Sequence, residues 1–152
     1  MNLLNNRETT TELPENFEEL KKSAHRASNW RERLDAVEAL GNIHASQTIT
    51  MLTKIMNNDL VYKVQEAAFH SLKKLGQDAK LPSKNKPELF KGLPKILLRI
   101  KKSLPAGHTF EEFKEKLKKM RIDIYDAYEG EKGAEFDTWL EEQWSDLYSK
   151  RG

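Results

Sequence analysis

The chain has 152 residues and a formal net charge of +2, from 26 Lys and Arg against 24 Asp and Glu. This length accommodates one compact domain or two small ones and excludes a large multidomain enzyme. Cysteine is absent, which excludes disulfides, thiolate metal sites and cysteine nucleophiles. The 7 glycines and 5 prolines are few, and abundant Lys, Glu, Leu and Ala favour an all-α fold.

The first half of the chain predicts four helices in succession. Asn29 and Glu32 form a capping-box pattern that opens one of them, and Gly76 is a suitable residue to follow the last. Residues 1–12 are polar, and we expect a mobile N-terminus there. Apolar residues at helical spacing then predict a capping helix over 15–27 and helices over 29–43, 49–57 and 60–75.

These helices contain an internal repeat. Placing Trp30 on Tyr62, an offset of 32 residues, aligns large with large and small with small side chains. A helical hairpin with its turns occupies about this length. The aligned pairs are Ala36 and Ala68, Ala39 and Ser71, Leu40 and Leu72, and Ile43 and Leu75.

The repeated stretches 33–43, 59–68 and 71–76 resemble HEAT repeats of the short bacterial kind, an armadillo-type family sometimes called phycobilisome-lyase-like. The resemblance covers about residues 28–76. It implies a short HEAT-like α-solenoid of helical hairpins, which we place over 13–77 with the N-terminal helix as its cap. Gln65 stands where such a repeat usually carries arginine, and only two units are recognisable. Flanking segments must therefore complete the core.

The second half predicts a separate three-helix segment. Prolines, a serine and lysines over 78–86 indicate a linker, and Thr109 with Glu112 forms a second capping box. Apolar periodicity predicts helices over 87–104, 109–129 and 134–149. This C-terminal three-helix segment, 87–152, forms either a bundle of its own or a continuation packed on the solenoid as one unit.

No catalytic motif is present in the sequence. Gly-rich phosphate loops, zinc-protease helices and serine elbows are all missing, and the four histidines are dispersed and match no metal-binding pair. We therefore expect a non-enzymatic protein without cofactor or metal. No segment has the apolar run of a signal peptide or membrane span, so we expect a cytoplasmic protein that does not bind membranes.

The near-neutral total charge conceals two segments of opposite sign. Residues 80–102 hold eight basic residues and one acid, a net +7, whereas residues 126–146 hold eight acids and one lysine, a net −7. Four side chains of the first segment share one face of its predicted helix, and we call them the basic ridge: Lys91, Lys95, Arg99 and Lys102. The ridge is either a solvated face paired with the acidic last helix or a surface for an acidic partner.

Two further sets of residues are candidate contacts. Trp139 falls outside the apolar stripe of the last helix, which fits either an exposed anchor for a partner or packing against a neighbouring helix. The HEAT resemblance implies that the second helix of each pair lines the concave side of the solenoid. It thereby assigns Gln47, Thr50, Lys54 and Asn57 to that side.

The features together predict a protein–protein interaction module, an adaptor or a scaffold, that binds a protein partner through a helical-repeat surface. Nucleic-acid binding through the basic segment 80–102 is the alternative, because lysines and arginines also bind phosphates. Self-association through the segments of opposite charge also stays open.

Overall fold

The computed structural model describes residues 13–26, 28–84 and 89–151, with side chains to Leu147. Within these ranges the chain forms helices and no strand, which confirms the all-α class. The segment 1–12, predicted to be mobile, lies outside the described residues. The helices are α1 (Phe17–Ala24), α2 (Trp30–Leu40), α3 (Ser46–Asn58), α4 (Tyr62–Lys74), α5 (Leu93–Lys102), α6 (Phe110–Met120), α7 (Ile122–Lys132) and α8 (Phe136–Arg151).

The chain divides into two compact units, Met1–Asn85 and Lys86–Gly152, each with its own apolar core. The described part of the predicted linker contains no helix. It nevertheless lies against the first unit, because Leu81 packs on that core and the Tyr62 hydroxyl donates a hydrogen bond to the Pro82 carbonyl at 3.4 Å. Residues 78–84 therefore belong to the first unit rather than hanging free of it.

In the first unit, α1 packs against α2, α3 packs against α4, and α2 packs against α4. The chain at the end of α2 approaches α4 closely at Gly41, where an added Cβ would lie 2.7 Å from the Ser71 hydroxyl. That hydroxyl donates to the Val37 carbonyl at 2.9 Å. In the pair α3–α4, α3 is the first helix. The HEAT resemblance assigns the concave side to the second helix of each pair. The observed packing therefore does not support the predicted placement of α3 residues on the concave side.

Two buried polar groups join the elements of this unit. Arg33 and Asp59 form a two-pronged ion pair, with Nε–Oδ2 at 2.9 Å and Nη2–Oδ1 at 3.2 Å, and Asp59 also accepts the Val61 N–H just before α4. The fully buried Gln65 donates to the Met56 carbonyl at 2.7 Å. A neutral amide satisfied in this way carries a smaller desolvation cost than the arginine that the HEAT pattern leads one to expect.

The second unit departs from its predicted helix boundaries. Gly92, at φ +72°, precedes the first residue of α5, so α5 begins at Leu93 and not at residue 87. Left-handed backbone of this kind interrupts a helix and favours glycine. Residues 85–88 lie outside the described part of the chain, and Lys91 precedes α5 rather than belonging to it.

The predicted long helix over 109–129 is wrong, because the chain breaks at Arg121 (φ −141°, ψ 72°) into α6 and α7. The Arg121 guanidinium bonds both carboxylate oxygens of Asp123, at 3.1 and 3.0 Å, and so spans the break. The interruption between the predicted helices over 109–129 and 134–149 lies later than expected, since α7 continues to Lys132 and a 3-10 turn, Gly133–Glu135, leads into α8. Residues 89–151 thus form four α-helices where three were predicted.

Candidate functional site

Helix α5 positions three of the four basic-ridge residues. Its apolar residues Leu93, Leu97 and Ile100 are buried in the core of the second unit, which turns the opposite face outward. Lys95, Arg99 and Lys102 are exposed on that outward face, at helical positions i, i+4 and i+7. They span about 10 Å along the helix axis, at 1.5 Å per residue.

These three side chains line a shallow concavity of about 500 Å³ together with Leu98 and Ser103. Lys91 is exposed before α5 and does not line it. Within the part of the chain that the structure describes, no carboxylate forms an ion pair with Lys95, Arg99 or Lys102. Three positive charges and the apolar side chain of Leu98 therefore line this concavity.

The fourth basic residue of α5, Lys101, is not on the surface. It is 4% exposed, its ammonium group donates to the Trp144 carbonyl, and Nζ lies 5.1 Å from the centroid of the Trp144 ring. Burial lowers the pKa of this ammonium group, because a low-polarity environment disfavours the charged form. Lys101 thus belongs to the contact between α5 and α8, although it adds to the net charge of the segment.

A Lys101→Met variant should show this burial in the pH dependence of stability. Between the lowered pKa and the ordinary lysine value of about 10.4, the unfolded chain holds a proton that the folded chain has released. Wild-type stability therefore rises with pH in that window relative to the variant, by about 1.4 kcal/mol for each unit of lowering. Urea unfolding of both proteins at several alkaline pH values measures the difference. A difference independent of pH would contradict the assignment.

Among the described residues, no acid of segment 126–146 forms an ion pair with the basic ridge. Asp126 is buried, and Asp137 pairs with Lys114 of α6 at 2.7 Å. The remaining exposed acids of α8 and of the turn before it, Glu135, Glu141, Glu142 and Asp146, pair with no ridge residue among those described. Although α8 packs against α5, the described side chains of α8 form no ion pair with the basic ridge.

Trp139 is half-buried and packed within its own unit. Its ring stacks on Tyr128, with centroids 4.6 Å apart and planes at 16°, and the Lys132 ammonium group lies 5.2 Å from its centroid. These contacts agree with the second of the two interpretations, in which Trp139 packs against a neighbouring helix. Its use as a partner anchor stays a prediction for the part of the ring that is exposed.

The four candidates on α3 are all exposed. Gln47, Thr50 and Lys54 line a shallow concavity of about 480 Å³ together with Lys21 and His25 of α1, whereas Asn57 lies outside it. These residues belong to the first unit, and the ridge belongs to the second. Each unit thus carries one of these candidate surfaces, and three cationic side chains line the concavity at the basic ridge.

Sequence reasoning did not identify the role of His108. Its ring is 9% exposed, with Nε2 at 2.9 Å from the Trp144 indole nitrogen and Nδ1 at 2.8 Å from the Pro105 carbonyl. Because the indole N–H can only donate, Nε2 accepts and Nδ1–H donates to the carbonyl. His108 therefore joins α8 to the loop before α6 through these two hydrogen bonds, which is a packing role.

Neither metal binding nor a membrane span has support in the described ranges. No three His, Asp or Glu side chains there converge on a point that could hold a metal ion. None of the helices found there has the length and apolar character needed to cross a membrane. Comparison with protein-family models, with curated proteins and with solved structures finds no match to this chain.

Proposed function

We propose that this chain is a non-enzymatic protein-interaction module and that the basic ridge of α5 binds an acidic segment of a protein partner. One observation carries the proposal: Lys95, Arg99 and Lys102 line an exposed concavity, with no carboxylate paired to them among the described residues. Unpaired cations in a line attract anionic ligands and steer their approach. Leu98 adds an apolar side chain to the lining.

We further propose that the first unit is a short HEAT-like solenoid that serves as the scaffold of the module. Its helices pack as the pairs α1–α2 and α3–α4, with α2 against α4. The 32-residue offset brings Trp30 and Tyr62 to the first residues of α2 and α4, and Leu40 and Leu72 to buried positions. Repetition of a helix pair at a fixed offset supports a solenoid segment.

An acidic peptide is a better match for the ridge than a nucleic acid. A duplex follows an extended cationic surface, whereas here three cations span about 10 Å at helical spacing. Glu142 and Asp146 are exposed on α8, which packs against α5, and add negative charge to the same unit. A short acidic helix, with carboxylates spaced like the ridge, can pair with all three cations.

Binding of a synthetic helical peptide with glutamates at i, i+4 and i+7 tests the proposal. The Lys95→Glu/Arg99→Glu/Lys102→Glu variant should bind it at least about tenfold more weakly, since each exposed ion pair contributes ~0.2–1 kcal/mol and reversal adds repulsion. The matched control is Lys22→Glu/Lys73→Glu/Lys119→Glu, which changes the net charge equally at exposed sites in the last turns of other helices. Fluorescence anisotropy gives both affinities.

Equal loss of affinity in both triple variants would mean that the peptide responds to net charge and not to the ridge. A duplex oligonucleotide provides the second arm of the experiment. If the duplex binds more tightly than the peptide, with a log–log salt slope of about −2.7 for three phosphate contacts, the ridge is a nucleic-acid surface and the protein-partner proposal fails.

A further inference from the structure

The acids of α8 form a second exposed stripe that complements the basic ridge. On a helical wheel at 100° per residue, Glu142 and Asp146 fall within about 40° of each other, and Glu135, in the 3-10 turn that leads into α8, falls between them. All three are exposed. We call them the acidic ridge.

Both ridges point away from the core of the second unit. The buried face of α8 carries Phe136, Leu140 and Leu147, and the acidic ridge lies roughly a third of a turn away from it on the wheel. The basic ridge lies opposite the buried face of α5. The described side chains of the two ridges form no ion pair with each other, so both remain available to another molecule.

From this complementarity we infer that a second copy of this chain is a partner of the basic ridge, which receives the acidic ridge of that copy. The inference rests on the proposed function and specifies its partner. Lys95 and Arg99 are four residues apart, as are Glu142 and Asp146, so the two helix faces can match pair for pair. Because each copy carries both ridges, a two-fold dimer makes the same contact twice.

The association is weak and depends on salt. Exposed ion pairs are individually small, and their interaction is screened over about 10 Å at 0.1 M ionic strength. We therefore expect the dimer at a few hundred micromolar protein in low salt, and we expect its dissociation constant to increase about tenfold or more when the salt concentration is raised to physiological levels.

Charge exchange between the ridges tests the inference by sedimentation velocity. The full chain should dimerise in low salt, whereas two variants should each stay monomeric: the basic-ridge reversal Lys95→Glu/Arg99→Glu/Lys102→Glu and the acidic-ridge reversal Glu135→Lys/Glu142→Lys/Asp146→Lys. An equimolar mixture of the two variants should associate again, because each altered ridge then meets its opposite. The control Lys22→Glu/Lys73→Glu/Lys119→Glu should dimerise like the wild type.

A wild-type chain that remains monomeric in low salt, or a mixture that fails to associate although the wild type does, overturns the inference. Circular dichroism of each variant establishes that it is folded before mixing, and the salt dependence of the wild type provides a measurement that needs no variant. If the wild type is monomeric but still binds the acidic helical peptide through its basic ridge, only the inference of a second copy fails. If the wild type neither dimerises nor binds the peptide, the proposed function fails as well.

Discussion

Replacing Asp59 with alanine is expected to lower the free energy of unfolding of the first unit by about 3–5 kcal/mol, the cost of leaving a buried charge without its partner. The Arg33 and Asp59 side chains are only 8% and 7% exposed, so water cannot replace the carboxylate. The Arg33 Nη1 still bonds the Arg26 carbonyl at 2.7 Å, which holds the guanidinium in place. The Val61 N–H also loses its acceptor.

Denaturant unfolding, with hydrogen exchange to locate the loss in α2 and α4, measures this effect. Asp35→Ala, an exposed carboxylate on α2, is the control and should change stability by less than about 0.5 kcal/mol. The double variant Arg33→Met/Asp59→Ala should recover part of the loss, because it removes the uncompensated charge. A double variant less stable than Asp59→Ala would show that the arginine contributes without its carboxylate.

Replacing Trp144 with alanine is expected to destabilise the second unit by about 3 kcal/mol, near the lower end for a large aromatic side chain because this one is only partly buried. The ring contacts Phe110 and Phe113, with centroids 5.7 and 6.3 Å away. It also donates to His108 Nε2 and lies beside the Lys101 ammonium group. Its loss removes contacts to α5, to α6 and to the loop between them.

Trp144→Phe separates the packing contribution of the aromatic ring from the contribution of the indole N–H hydrogen bond. It keeps an aromatic ring but removes the indole N–H, so it should cost about 1–3 kcal/mol, the penalty for a buried acceptor left without a donor. Thr138→Ala, an exposed position on the same helix, is the control. Thermal unfolding of the three variants gives the order of their stabilities. A Trp144→Ala protein as stable as the control would contradict the packing described here.

The helices of the first unit were predictable because each buries an apolar stripe of regular period. Capping by Asn29 also occurs as predicted, since its side chain accepts the Glu32 N–H at 3.1 Å. The break at Arg121 was not predictable from period. Phe113, Leu117, Ile124 and Tyr128 keep helical spacings of four, seven and four across it, so the apolar pattern continues while the backbone does not.

The candidate site was predictable only in part, for a similar reason. Periodicity places Lys95, Arg99 and Lys102 on one exposed face, and the structure agrees. The burial of Lys101 depends on the Trp144 carbonyl, 43 residues away along the chain, and no local pattern contains that contact. The net charge of +7 in segment 80–102 therefore overstates the positive charge that is exposed to a partner, because one of its cations faces the core of the second unit.

The most direct test of the central claim is to map where an acidic helix binds. Titration of the acidic helical peptide into the isotope-labelled full chain, followed by amide NMR shifts, should perturb Lys95, Leu98, Arg99 and Lys102 first and in proportion to one another. These changes should disappear in the basic-ridge reversal and persist in the Lys22→Glu/Lys73→Glu/Lys119→Glu control. Shifts that centre on Gln47, Thr50 and Lys54 of α3, or that spread evenly over all exposed lysines, would contradict it.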